Sequence, residues 1–173
     1  NELPSQLYNI FDFSNKDNQN KFKEFIISLF KLTQNHTRKI RQIGSMILCK
    51  ITELIIIEYG KNKKLLRQSQ NNDPNYRART YLCNCLKDFS QDIIKNFIKR
   101  KICDYSKDIR MNLCEMFERL SKNYFNIIFG EFKLVKYYNY FLQDPSNAIR
   151  VKYLGIIYDR LISISKPDEI DYD

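Results

Sequence analysis

Lys and Arg are the residues of this sequence best suited to chemistry, and they are unevenly placed. The chain carries a net charge of +9, and the stretch from Lys61 to Lys101 holds eleven basic residues against Asp73, Asp88 and Asp92, a local +8. Ammonium and guanidinium groups set along one surface displace the counterions condensed on a phosphate backbone, which gives affinity for nucleic acid without reading its sequence. Lys61, Lys63, Lys64 and Arg67 form one candidate cluster, and Lys95, Lys99, Arg100 and Lys101 a second. Groups for catalysis are sparse. The single His36 has no Ser or Cys at a spacing that nominates a nucleophile, and there is no Gly-rich phosphate loop. Cys83 and Cys85 stand two apart, so on a helix they point to different sides, and with one His in the chain a zinc site lacks ligands. The expectation is a protein that is not an enzyme and takes no cofactor.

These residues need a scaffold, and hydropathy spacing supplies a helical one. Four Gly and four Pro are too few for a loop-rich β protein, and 43% hydrophobic content excludes wholesale disorder. Phe22, Phe25, Ile26, Leu29 and Phe30 follow the i, i+3, i+4 rule of a helix stripe. Thr37 is placed to cap a second helix running to Tyr59, where Gly60 is expected to stop it. A short basic helix follows, broken at Asn71-Asn72-Asp73-Pro74. From Tyr76 to Ile102, Leu82, Leu86, Phe89, Ile93 and Phe97 mark the inner face of a long helix, leaving Lys95, Lys99 and Arg100, with Lys101 one step further round, on its solvent side. Ile109, Leu113, Met116, Phe117 and Leu120 predict the next helix, residues 132–142 another, and Ile149, Tyr153, Ile156 and Ile157 the last.

A five-residue unit recurs three times: Thr37-Arg38-Lys39-Ile40-Arg41, Ser106-Lys107-Asp108-Ile109-Arg110 and Ser146-Asn147-Ala148-Ile149-Arg150. The last two copies lie 40 residues apart, a period of HEAT or armadillo helix pairs, and the first two lie 69 apart, one such period plus an insertion. The fold class expected is all-α, a HEAT-like α-solenoid of three helix pairs with one elongated helix. In each copy the Ile should be core and the Arg should reach an acid near the inter-helix turn. The repeats are expected over 22–164, after an extension at 1–21 and before an acidic tail at 165–173. Five Cys scattered through helices read as reduced thiols, and no apolar run is long enough to span a bilayer, so a soluble intracellular protein without a membrane partner is expected.

Thr37-Arg38-Lys39-Ile40-Arg41-Gln42, then a charged helical insertion and Ile93-Ile94-Lys95-Asn96-Phe97-Ile98-Lys99-Arg100-Lys101-Ile102-Cys103-Asp104, resembles the stromal-antigen subunit of cohesin. From Asp104 onward, Ile109-Arg110, Tyr124, Val135-Lys136-Tyr137-Tyr138-Asn139-Tyr140-Phe141-Leu142-Gln143-Asp144 and Ile149-Arg150-Val151-Lys152-Tyr153-Leu154 resemble the family's stromalin conserved domain. The similarity covers residues 22–161. It implies a nuclear, chromatin-associated scaffold in sister-chromatid cohesion and chromosome segregation. The implied partners are double-stranded DNA, regulator peptides, and the kleisin and other cohesin subunits, the last mostly through regions outside this sequence. Surface lysines of the family fall on Lys95 and Lys136, an acidic residue on Glu131, and a pocket tryptophan on Tyr140. With Arg150, which follows an exposed turn, Glu131, Lys136 and Tyr140 are the candidate protein-docking residues. The family's Arg-Tyr-Arg-Asp run reads Lys101-Ile102-Cys103-Asp104 here, so a pocket tyrosine and an arginine are replaced. The competing class is a helical-repeat adaptor that binds peptides and ignores DNA.

Overall fold

A computed structural model describes residues 16–68 and 75–165. The described elements are all helical: α1 (Lys16–Thr33), α2 (Arg38–Gln68), α3 (Tyr76–Ile93), a π-helical turn (Ile94–Ile98), α4 (Lys99–Lys101), α5 (Lys107–Phe125), a second π-helical turn (Asn126–Glu131), α6 (Val135–Leu142) and α7 (Asn147–Ser165). No helix among the described residues is long and apolar enough to cross a membrane. Two compact units divide the chain, Asn1–Phe97 and Ile98–Asp173.

In the first unit α2 packs against both α1 and α3. Phe22, Ile26 and Leu29 of α1 are buried as their spacing predicts, together with Leu48, Ile55, Ile56 and Tyr59 of α2 and Leu86 and Ile93 of α3. Phe22 meets the edge of Phe89 with ring centroids 5.0 Å apart, which ties α1 to α3. Thr52 and Ser90 are buried hydroxyls, and each donates to the carbonyl four residues back in its own helix, so neither is left unsatisfied.

Four expectations fail in this unit. Phe25, placed by its spacing in the stripe of α1, is 43% exposed. Helix α1 starts at Lys16 rather than Phe22. Gly60 does not stop α2, which runs on to Gln68 and takes Lys61, Lys63, Lys64 and Arg67 into the same helix. A glycine ends a helix by adopting positive φ, and no described glycine does so; Gly60 is instead a buried residue of the helix interior. Ile40, expected in the core, is 40% exposed in the first turn of α2. The expected break at 71–74 and most of the 165–173 tail lie outside the described residues.

Gly44 has a packing role that spacing did not announce. A Cβ built there would lie 3.0 Å from Leu32 Cβ, 3.2 Å from the Leu32 carbonyl carbon and 3.2 Å from Thr33 N, where the end of α1 crosses α2. Two of these neighbours are backbone and cannot rotate away. Gly44→Ala would ordinarily gain up to about 1 kcal/mol of helix propensity, but overpacking costs about 1–3 kcal/mol. The expected outcome is a net loss of about 1 kcal/mol, read as a lower urea midpoint at unchanged slope.

The second unit is built on α5, which packs against α7 and against the π turn that follows it. Ile109, Leu113, Met116, Phe117 and Leu120 are all buried to 1% exposure or less, as the i, i+3, i+4 pattern requires. Phe117 meets Phe141 of α6 at 5.7 Å, and Phe141 meets Tyr153 of α7 at 5.8 Å. The connection expected at 127–131 is the second π turn, which buries Ile128 completely. Two residues beyond its end at Glu131, Lys133 has a left-handed φ of 52°, while Leu134 N–H reaches back to the Ile128 carbonyl at 3.0 Å. That reversal starts α6 three residues later than residue 132.

Candidate functional site

The three copies of the repeated unit fold into the same turn, and the residue that organises it lies two places before the hydroxyl. Thr37 N–H donates to Asn35 Oδ1 at 2.8 Å, Ser106 N–H to Asp104 Oδ1 at 2.9 Å, and Ser146 N–H to Asp144 Oδ1 at 2.7 Å. The arginine six places after that Asn or Asp then reaches back to its carbonyl: Arg41 Nη1 to Asn35 O at 3.1 Å, Arg110 Nη1 to Asp104 O at 2.6 Å, and Arg150 Nη1 to Asp144 O at 2.5 Å. Each turn is thus closed at both ends. The hydroxyl matters less than its recurrence suggests, since Ser106 Oγ is buried and makes no cap bond.

In the second unit one turn is joined to the next. Arg110 donates from Nε to Asp144 Oδ2 at 2.7 Å and from Nη2 to Asp144 Oδ1 at 3.0 Å, a two-pronged pair with both residues buried. Burial pushes the Asp144 carboxyl up, but the Arg110 hydrogen bonds, the Ser146 amide and the charges of Arg110 and Arg150 outweigh it and hold it below the ordinary carboxylate value. The hydrogen bond to Asp144 correspondingly raises the Arg110 guanidinium. Because the folded state binds this proton more weakly than the unfolded state, the pair's contribution is complete above about pH 4 and fades as the pH falls through the lowered carboxyl value. Acid titration followed by circular dichroism should show wild-type stability dropping below about pH 4, and Asp144→Asn should lack that part of the slope.

The basic residues occupy separate environments. Lys61, Lys64 and Arg67 are exposed on the last turns of α2, Lys61 lying 3.9 Å from Glu58, while Lys63 is half-buried with its ammonium 5.7 Å from the Tyr59 ring centre. Lys95 is exposed on the first π turn, and Lys99 and Arg100 are exposed on α4. Lys101 departs from its predicted place. It is 8% exposed, and its ammonium lies 2.9 Å from Asp104 Oδ2, so it secures the turn at Asp104 and is withdrawn from solvent. The cause is the π turn. In an unbroken α-helix, residue 101 would stand about 80° round from residue 93. Through the wider π turn and just after it that constant pitch no longer holds, and Lys101 is buried where α-helical spacing would leave it outside.

Among the docking candidates, Lys136 and Tyr140 share one face of α6, an i, i+4 pair. Tyr140 is 50% exposed, and the Lys136 ammonium sits 5.0 Å from the ring centre of Tyr137. Glu131 is half-buried at the end of the second π turn. Arg150 is drawn back onto its own turn through Asp144 O and Asn147 Oδ1, so it begins as a structural residue like Arg110. The expectation of an acid near each inter-helix turn does not by itself single out Asp104 and Asp144. Their signal was present, since Asn or Asp stands two places before the hydroxyl in all three copies. The pair Lys152–Glu118 at 2.8 Å, which joins α7 to α5, had none.

What this arrangement offers is charge and contact area on a helical frame. Comparison with protein-family models, with curated proteins and with solved structures finds no match to this chain.

Proposed function

We propose that this chain is a non-catalytic HEAT-like helical-repeat scaffold of the cohesin stromal-antigen type, which contacts duplex DNA and docks regulatory proteins in sister-chromatid cohesion. The observation that carries the DNA reading is the exposure of Lys95, Lys99 and Arg100 within the +8 segment, with Lys61, Lys64 and Arg67 exposed on α2. Exposed cations of this kind exchange water and counterions for phosphate at little cost in desolvation. Lys101 is removed from the contact set by its burial and its pairing with Asp104. The recurring turn supports the repeat reading, because one local solution serves three inter-helix corners.

Regulator docking rests on Lys136 and Tyr140 as a face of α6, tyrosine supplying area with a polar handle. The same face favours the adaptor class as a second reading, since it needs no nucleic acid. A fluorescence-anisotropy titration of labelled duplex DNA at two salt concentrations separates the two. Binding that weakens with salt, and that Lys95→Glu, Lys99→Glu and Arg100→Glu together abolish, fits the scaffold on DNA. Absence of binding at low salt leaves the adaptor.

A further inference from the structure

The outer side of α7 repeats a face that α5 uses for packing. On α5, Arg110, Cys114 and Glu118 form an i, i+4, i+8 column. Arg110 takes the Asp144 carboxylate of the next turn, Glu118 pairs with Lys152 of α7, and Cys114 is completely buried in the same second unit. Advancing by the 40-residue period carries this column onto Arg150, Leu154 and Tyr158, with Leu161 one further turn along. There the column is open: Leu154 is 53%, Tyr158 64% and Leu161 61% exposed. Three large apolar side chains follow an arginine along one strip of α7, whose opposite side buries Ile149, Tyr153 and Ile156. Val151, 59% exposed, flanks them.

Arg150 is engaged only in part. Arg110 satisfies its own turn through Nη1 and spends Nε and Nη2 on a carboxylate from the next helix pair. Arg150 likewise satisfies its own turn through Nη1, and its Nη2 makes a 3.4 Å contact with Asn147 Oδ1. Among the described residues, none supplies the two-pronged carboxylate that Asp144 supplies to Arg110.

We propose that Arg150, Leu154, Tyr158 and Leu161 form a docking face for a further helix pair whose inter-helix turn carries an aspartate, received by Arg150 as Arg110 receives Asp144. The interface already present between α5 and the α6–α7 pair specifies this occupant: an apolar helix flank over the strip and a carboxylate at the corner. A second copy of the chain fits less well. Its Asp144 is committed to Arg110, its Asp104 to Lys101, and its first turn presents the neutral Asn35. The inference stands on the second unit alone and is independent of DNA binding.

The probe is a second copy of residues 134–165 joined directly after Asp173 of the full chain, which sets the added pair at the 40-residue period. The chain has no Trp, so Tyr158→Trp places a single reporter in the middle of the strip. In the extended chain the emission should move to shorter wavelength and acrylamide quenching should fall severalfold relative to the unextended chain. Changing the added turn's aspartate to lysine should reverse both effects, and combining that change with Arg150→Glu should restore them. Emission and quenching left unchanged by the extension would overturn the proposal, whether or not the added segment gains helix by circular dichroism. Protection already present in the unextended chain and lost on dilution would also overturn it, because the face would then belong to a second copy.

Discussion

Asp144→Asn is expected to lower the stability of the second unit by about 3–5 kcal/mol, because it leaves the buried Arg110 guanidinium without a counter-charge. Arg110 and Asp144 are 8% and 4% exposed, so water does little to compensate the lost partner. With a urea slope near 2 kcal/mol per molar, the midpoint should fall by about 2 M. Arg110→Met should cost a comparable amount by stranding the carboxylate, although Asp144 would keep its hydrogen bond from Ser146 N–H. The informative variant is the double change Arg110→Met with Asp144→Leu. Exchange of a buried ion pair for apolar side chains of similar volume is often neutral or stabilising, so most of the loss should return. What should not return is about 1 kcal/mol for the turn, since Ser146 N–H then loses its acceptor and the Asp104 carbonyl loses a donor. A single Asp144→Asn cost below about 1 kcal/mol would mean that the pair is effectively solvated, and a charge-locked corner would be ruled out.

The triple change Lys95→Glu, Lys99→Glu and Arg100→Glu carries the largest expected effect on binding. Each phosphate neutralised contributes about 0.9 to the slope of log affinity against log salt, so three contacts amount to nearly 3. Between 50 and 200 mM salt, those three contacts alone correspond to an affinity loss of about 40-fold. The variant replaces them with repulsion, so binding at 50 mM salt should fall by more than this factor, and any residual slope should be smaller by about 3. Lys61→Glu, Lys64→Glu and Arg67→Glu form the parallel set. If that set abolishes binding and the first does not, the DNA path runs over the end of α2. Lys101→Glu must not be used for this purpose, because it would place a carboxylate against Asp104 and test folding instead.

Much of the fold was legible because burial leaves a period in the sequence. The stripe Ile109, Leu113, Met116, Phe117 and Leu120 follows helical spacing and is wholly inside. Ile40 misled because identity within a repeated unit does not carry its surroundings: Ile109 and Ile149 are completely buried, whereas Ile40 is 40% exposed. Lys101 misled because a π turn shifts every later position round the axis, and spacing rules assume a constant pitch. Gly60 misled because composition cannot show the sign of φ. The aspartates of the turns were visible, but aligning the copies from the hydroxyl onward left Asn35, Asp104 and Asp144 just outside the unit. One of the three is an amide, which hides the shared acceptor atom from a search by charge. The exposed basic residues were legible as charge and only partly as position, since pairing with an acid three residues away is a matter of local geometry.

The second π turn has a consequence for how this chain can change length. A π turn holds one residue more than an α-helix of the same span needs. Removal of Gly130, which is exposed and has no neighbour within 4 Å of the site of its missing Cβ, therefore lets Asn126–Glu131 rewind at the ordinary pitch instead of breaking. Deletions are normally absorbed by loops. Here a helical segment holds the spare residue, so a single-codon loss at this site should be tolerated where the same loss within α5 would turn its buried stripe towards solvent.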